Sequence, residues 1–349
     1  MTGDLETLFG IDAPIVLGPF GGMSSIPLTA SISEAGGLGS FGLYGYPGER
    51  IRETAAALRA ATGRPFALNL WLPTGDEVEP GDTDLAGARA AIAPLLGAAG
   101  VAPPPLPESF LPPLDEQLDA VWDAAPAALS VVFGVPAAET VAEAHRRGIR
   151  VVGTATSVAE AVALAAGGVD AIVASGAEAA GHRVSFLRRA EESLVGTVAL
   201  VPQVVDAVDV PVIAAGGIAD RRGVAAAFAL GAAGVQVGSA FLRTRQSAAS
   251  EAHRTALRAA ADTDTVLTRA MSGRLARGIP NRAVRAIEEA DAVAPFPAQN
   301  WLTAAFRAAA PNDADLISMW AGQAAGLSRS EDAEEVFAEL AAGIPARPH

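Results

Sequence analysis

Eight short apolar β-runs alternating with alanine-rich helical segments predict an α/β chain, a (β/α)8 TIM barrel with an additional helical subdomain. Two further observations favour the closed barrel. The chain has 349 residues, room for one barrel of roughly 250 residues and an extra body. Ala214-Ala215-Gly216-Gly217 follows the apolar run Pro211-Val212-Ile213, and Gln236-Val237-Gly238-Ser239 closes the next such run. In a barrel these are the loops after strands seven and eight, where glycine lets backbone N–H groups approach a phosphate closely. Alternation by itself is shared with an open, doubly wound sheet.

In chain order, residues 14–17 read as the first strand, followed by the loop Gly18-Pro19-Phe20-Gly21-Gly22. Residues 28–35 form a short helix stopped by Gly36-Gly37. Residues 38–41 are a second strand, 52–61 a second helix and 66–70 the third strand. Five more candidate strands lie at 128–133, 150–153, 171–174, 210–214 and 234–237, with helices such as 137–147 and 158–166 between them. Residues 74–113 are rich in proline, glycine and acid, too long for a plain connection, and read as a cap-like excursion. After about residue 245 the strand pattern stops and short helical segments run to the end. The division is therefore a barrel over 1–245, with 74–113 as its cap, and a C-terminal helical subdomain over 246–349 packed on it.

Composition narrows the chemistry. The net charge of −14 argues against nucleic acid and anionic membrane as partners. No apolar run reaches the roughly 18–20 residues of a membrane span and no basic–apolar leader opens the chain, so it reads as soluble and cytoplasmic. The absence of cysteine excludes thiolate metal sites, iron–sulfur clusters and thiol nucleophiles. All 25 basic residues are arginine; without lysine there is no Schiff base and no P-loop.

Gly37-Leu38-Gly39-Ser40-Phe41-Gly42 fits the dinucleotide fingerprint G-x-G-x-x-G, but a helix ends there and a strand begins, the reverse of what that site needs. It reads as a helix stop and tight turn. His182, in Ser175-Gly176-Ala177-Glu178-Ala179-Ala180-Gly181-His182-Arg183, follows the sixth strand and stands at the barrel mouth. His145, beside Arg146-Arg147, and His253, in a polar helix, read as solvated, and His349 is terminal. By elimination His182 is the acid–base candidate. Asn69 is a polar residue near the C-terminal end of the third strand, where a buried amide needs a partner, either in the core or on a bound ligand. Glu288, Glu289 and Asp291 read as a solvated helix face, and no metal-ligand spacing occurs.

With these residues in view, the chain resembles the nitronate monooxygenase family, formerly called 2-nitropropane dioxygenases. The likeness runs in order through Pro14-Ile15-Val16-Leu17-Gly18-Pro19, Ala35-Gly36-Gly37-Leu38-Gly39, Ala67-Leu68-Asn69-Leu70 and Gly153-Thr154-Ala155-Thr156. It continues through Gly176-Ala177-Glu178-Ala179 with Gly181-His182-Arg183, both glycine turns, Ser272-Gly273-Arg274 with Ala276-Arg277-Gly278, and Trp320-Ala321-Gly322-Gln323. The resemblance implies an FMN-bound barrel that oxidises alkyl nitronates, such as propionate 3-nitronate, with O2 to a carbonyl compound and nitrite. It implies that Asn69 contacts the flavin, and that Gly216, Gly217, Gln236, Val237, Gly238 and Ser239 hold its phosphate and ribityl chain. Gly18, Pro19 and Phe20 would line the ring, and His182 would face its reactive edge as base or orienting group. Ser175 and Ala180 stand at flavin-site positions where the family usually has glutamine and glycine, Phe20 replaces a common methionine, and Ser239 a common threonine.

The partners so implied are a small nitronate or nitroalkane and O2, with a homodimer open through the C-terminal helices. Two other readings stand beside this one. One is an FMN-dependent NADH:quinone or enoyl-thioester reductase; the other is a flavin-free phosphate-binding barrel. The IMP-dehydrogenase type needs a cysteine that this chain lacks.

Overall fold

The computed structural model describes residues 4–346. Eight of its strands form one parallel sheet: β1 (Ile15–Leu17), β2 (Gly39–Gly42), β3 (Phe66–Trp71), β4 (Ala128–Val132), β5 (Arg150–Ala155), β6 (Ala171–Ser175), β8 (Val212–Ala215) and β9 (Gly234–Val237). The order is β1-β9-β8-β6-β5-β4-β3-β2, and a parallel bridge between Val16 and Leu38 joins its ends into a barrel. β7 (Gly181–His182) lies outside that sheet. The barrel is therefore closed, and the open doubly wound alternative falls away.

The outer ring comprises α2 (Ile26–Glu34), α3 (Gly48–Ala61), α5 (Leu114–Ala124), α6 (Ala138–Arg146), α7 (Val158–Ala166), α8 (Thr197–Ala207) and α9 (Arg221–Ala229). Its apolar faces bury Ile51, Leu58, Val121, Leu164, Val201 and Val204 against the strands. A short helix, α1 (Leu5–Phe9), plugs the N-terminal end of the barrel. Leu5 and Phe9 pack with the inward Val16, Val152, Val173 and Ile213. Such closure leaves the opposite, C-terminal end as the mouth.

Above the mouth, α4 (Ala86–Ala99) from the 74–113 excursion packs against α12 (Arg282–Glu289) and α13 (Ala298–Ala309). Leu95, Leu96, Val284, Ile287, Leu302 and Phe306 form the apolar centre of this cap. Between barrel and cap run α10 (Ser239–Leu242) and α11 (Glu251–Ala259).

Two features differ from the sequence expectation. Strands do not stop at about 245: β10 (Val266–Thr268) and β11 (Ala276–Gly278) form a small antiparallel sheet with β7, pairing Ala276 with His182. These are three-residue strands whose partner lies almost a hundred residues upstream, so no local pattern marks them. The last helix, α14 (Ala333–Ala341), leaves the cap and packs on α2 and α9, adding Val336, Phe337 and Leu340 to the barrel's outer core.

The glycines of 37–42 serve close packing. A Cβ on Gly39 would stand 2.2 Å from the Thr29 carbonyl, and one on Gly42 2.8 Å from the Phe20 backbone. Among the described residues no helix is long and apolar enough to cross a membrane, and no group of acids and histidines could hold a metal.

Candidate active site

The barrel mouth opens into a cavity of about 330 Å³. Its floor is built by strand ends, because side chains alternate along a strand and the inward ones meet at the mouth. Asn69 of β3 is one; its Nδ2 donates to the Ser130 carbonyl and hydroxyl at 3.2 and 3.1 Å, leaving Oδ1 as the free acceptor. Ser175 ends β6, and Gln236 of β9 points inward. Val237, the next residue, therefore points outward and is 1% exposed in the barrel's outer core. It does not line the cavity, and only its carbonyl reaches this end, accepting from the Gly18 N–H at 2.8 Å.

The other expected residues, Gly18, Pro19, Phe20, Ala180, Gly216, Gly217, Gly238 and Ser239, all line the same cavity. Gly216 and Gly217 take φ of 102° and 71°, left-handed backbone that favours glycine. The N–H groups of Gly217, Gly238 and Ser239 find no acceptor among the described residues. Unpartnered backbone donors on a glycine-rich wall of one cavity, a glycine cradle, can hold an oxyanion such as a phosphate.

His182 faces this cradle's neighbourhood from the small sheet. Pairing with β11 fixes its backbone, and Nε2 lies 2.8 Å from Ser272 Oγ. The imidazole sits edge-on to Trp71, centroids 4.8 Å apart, and 5.3 Å from Trp320. Burial, reinforced by the charges of Arg274 and Arg307, pushes its pKa down to about 3. It is therefore neutral across the physiological range. The other histidines divide. His145 is at the surface with Asp170, whereas His253 is not solvated as its polar helix suggested. It is 1% exposed and donates from Nε2 to the Trp320 carbonyl at 3.0 Å, and burial lowers its pKa to about 4.

Other lining residues went unassigned in the sequence: Tyr44, Trp71, Ser272, Phe296, Asn300 and Arg307. Tyr44 packs against Trp71 with ring centroids 4.3 Å apart at a tilt of 42°, and its hydroxyl accepts from Asn300 Nδ2 at 3.1 Å. Burial raises the Tyr44 pKa to about 12, so the hydroxyl keeps its proton as a donor. Ser272 stood in a motif carrying the family likeness but without a role; the aromatic residues and Arg307 carried no local signal at all.

A family model described as nitronate monooxygenase matches residues 3–343. The chain belongs to the nitronate monooxygenase family. A probable nitronate monooxygenase of Staphylococcus aureus strain Newman is 36% identical over 340 residues, covering 96% of this chain and 95% of its own. Among solved structures, a nitroalkane oxidase from Streptomyces ansochromogenes aligns with a TM-score of 0.85 at 33% identity, over 97% of this chain and 96% of that one. FabK from Thermotoga maritima aligns with a TM-score of 0.75 at 27% identity, over 97% and 95%. Members of the nitronate monooxygenase family are flavin-dependent oxidoreductases, so the chain is an enzyme of that kind.

Proposed function

We propose that the protein holds FMN on the glycine cradle and oxidises alkyl nitronates, such as propionate 3-nitronate, with O2 to a carbonyl compound and nitrite. The observation that carries this reading is a neutral imidazole sharing one cavity with unpartnered backbone donors. Gly216, Gly217, Gly238 and Ser239 would hold the phosphate, Asn69 Oδ1 would accept from a polar ring edge, and Gly18-Pro19-Phe20 would border the ring. The flavin, when bound, supplies the electron acceptor that the protein's own side chains lack.

The protein's residues orient the substrate and handle its charge. Ser272 donates its hydroxyl proton to the Arg274 carbonyl at 3.2 Å, so its lone pair accepts the His182 Nε2–H. Trp71 and Trp320 keep water from the imidazole. An imidazole with so low a pKa is a weak base for a neutral nitroalkane, and the positive charge of Arg307 favours a substrate that arrives already anionic. The nitronate is that form.

The deciding experiment is the absorbance spectrum of the purified protein, followed by anaerobic mixing with propionate 3-nitronate and, separately, with NADH. Loss of oxidised-flavin absorbance with the nitronate and not with NADH is expected. Rapid bleaching by NADH alone would move the assignment to a nicotinamide-dependent reductase, and no flavin spectrum would overturn both.

A further inference from the structure

Arg307 is a charge without a counter-charge. It lies on α13, lines the active-site cavity, and donates from Nη2 to the carbonyl and Oδ1 of Asn300 at 3.0 and 2.7 Å. Its Nε is buried with no hydrogen-bond partner. Other buried arginines have acids about them: Glu160 and Glu178 act on Arg183, whose Nε is likewise unpartnered and whose other nitrogens donate to the carbonyls of Ser175, Gly176 and Ser193, and Arg274 binds Asp76 and Glu77. No carboxylate pairs with Arg307 among the described residues. The acids nearest the cavity are already engaged, Glu77 with Arg274 and Glu178 with the Thr197 N–H and hydroxyl. Its remaining contact is Nη1 donating to Ser318 Oγ at 3.4 Å, so every partner is neutral, and burial lowers the Arg307 pKa to about 10. It still carries full charge at neutral pH. Leaving a buried cation unpaired is costly, and an anion entering the cavity would remove that cost.

Asn300 joins Arg307 to the Tyr44 hydroxyl, bonding one through Oδ1 and the other through Nδ2. We propose that Arg307 and the Tyr44 hydroxyl together form the anion-holding element of the cavity, receiving a planar two-oxygen anion of the substrate. Both a carboxylate and a nitronate head have that shape. The element is a positioning device for substrate and lies apart from the glycine cradle. It rests on the nitronate reading for what the substrate is, and on the structure alone for the anion.

The test uses the flavin-loaded enzyme and propionate, an unreactive carboxylate. Wild type is expected to bind propionate, read by titration calorimetry, and to be inhibited by it competitively with nitronate. Arg307→Gln should weaken propionate binding by about tenfold to a hundredfold and raise KM for nitronates with less effect on kcat, flavin content being unchanged. Arg307→Lys should recover part of the loss. Loss on both ethyl nitronate and propionate 3-nitronate would place the nitronate head at Arg307; loss confined to the latter would place the carboxylate there. Either supports the proposal. Tyr44→Phe, which keeps the ring on Trp71, should weaken propionate binding several-fold and serves if Arg307→Gln does not fold. Failure of wild type to bind propionate, or unchanged affinity in the folded variants, overturns it. Propionate binding that depends on Arg307 in a protein that turns over neither nitronate would instead refute the nitronate reading and leave the anion site standing.

Discussion

At the scale of single residues, the site combines an acid–base group that burial has silenced with backbone donors that glycine has left open. His182, with its pKa near 3, should give kcat/KM for a nitronate no inflection near pH 6.5. An inflection there that vanishes in His182→Asn would contradict the neutral-imidazole picture. The same variant should keep its flavin yet lose turnover by about tenfold, the scale of one orienting hydrogen bond; steady-state kinetics at matched flavin content reads this. Gly217→Ala probes the cradle. At φ 71° a Cβ would meet only the Glu178 side chain, at 3.7 Å, so the cost is backbone strain of about 1 kcal/mol. A folded protein with at least about tenfold weaker FMN affinity is expected, measured by fluorescence titration of apoprotein. The sequence singles out His182 because few histidines compete with it, and the glycines because their turns repeat; the structure places them around one cavity. Strand alternation, which the motif does not show, turns the Val237 side chain into the outer core beside the cavity-lining Gln236. His253 was misassigned because its polar helix concealed one buried face.

At the scale of elements, Arg274 is one of the side chains that tie the cap to the mouth. Arg274 Nη2 binds Thr74 Oγ1, Asp76 Oδ1 and Glu77 Oε1 at 2.7, 2.9 and 2.6 Å while the guanidinium stacks on Phe296 at 3.9 Å. Arg274→Gln should loosen the segment at 74–77, raising its amide exchange, at a stability cost of about 1.5–3 kcal/mol for a buried charged network. It should also raise the His182 pKa, since Arg274 is one of the charges that depress it. The second element is α14. Phe337 is 5% exposed in the barrel's outer core, so Phe337→Ala should cost about 3–5 kcal/mol, visible as a lower urea midpoint. The residues forming α14 read as helical from sequence, but their berth between α2 and α9 did not. Returning there requires a partner more than a hundred residues away in the chain.

For the whole molecule, acid should unfold the protein partly through its buried imidazoles. His182 and His253 both have folded pKa values below the ordinary 6.5. The unfolded chain therefore binds more protons below about pH 6.5, and stability falls as pH drops through that window. The slope per group is about 1.4 kcal/mol per pH unit, ending near each folded pKa, and above pH 6.5 neither group contributes any pH dependence. His253→Gln keeps a donor for the Trp320 carbonyl and should flatten the loss between pH 6.5 and 4, measured by urea unfolding at several pH values. An unchanged slope would contradict the burial of His253.

By itself, the amino-acid sequence determined the barrel, the position of its mouth and the glycine turns around it. Each of those is a local matter: short continuous apolar runs, helix stops and loops with no Cβ repeat along the chain and need no distant partner to be read. The tertiary structure alone decided the upper half of the site. Trp71, Ser272, Arg307 and Trp320 come from β3, the cap and the segment before α14, and they meet His182 only after β11 pairs with β7. The charge on Arg307 is ordinary in the sequence, one of 25 arginines. What makes it informative is burial beside a cavity with no acid to face it, and burial is set by packing between elements distant in sequence.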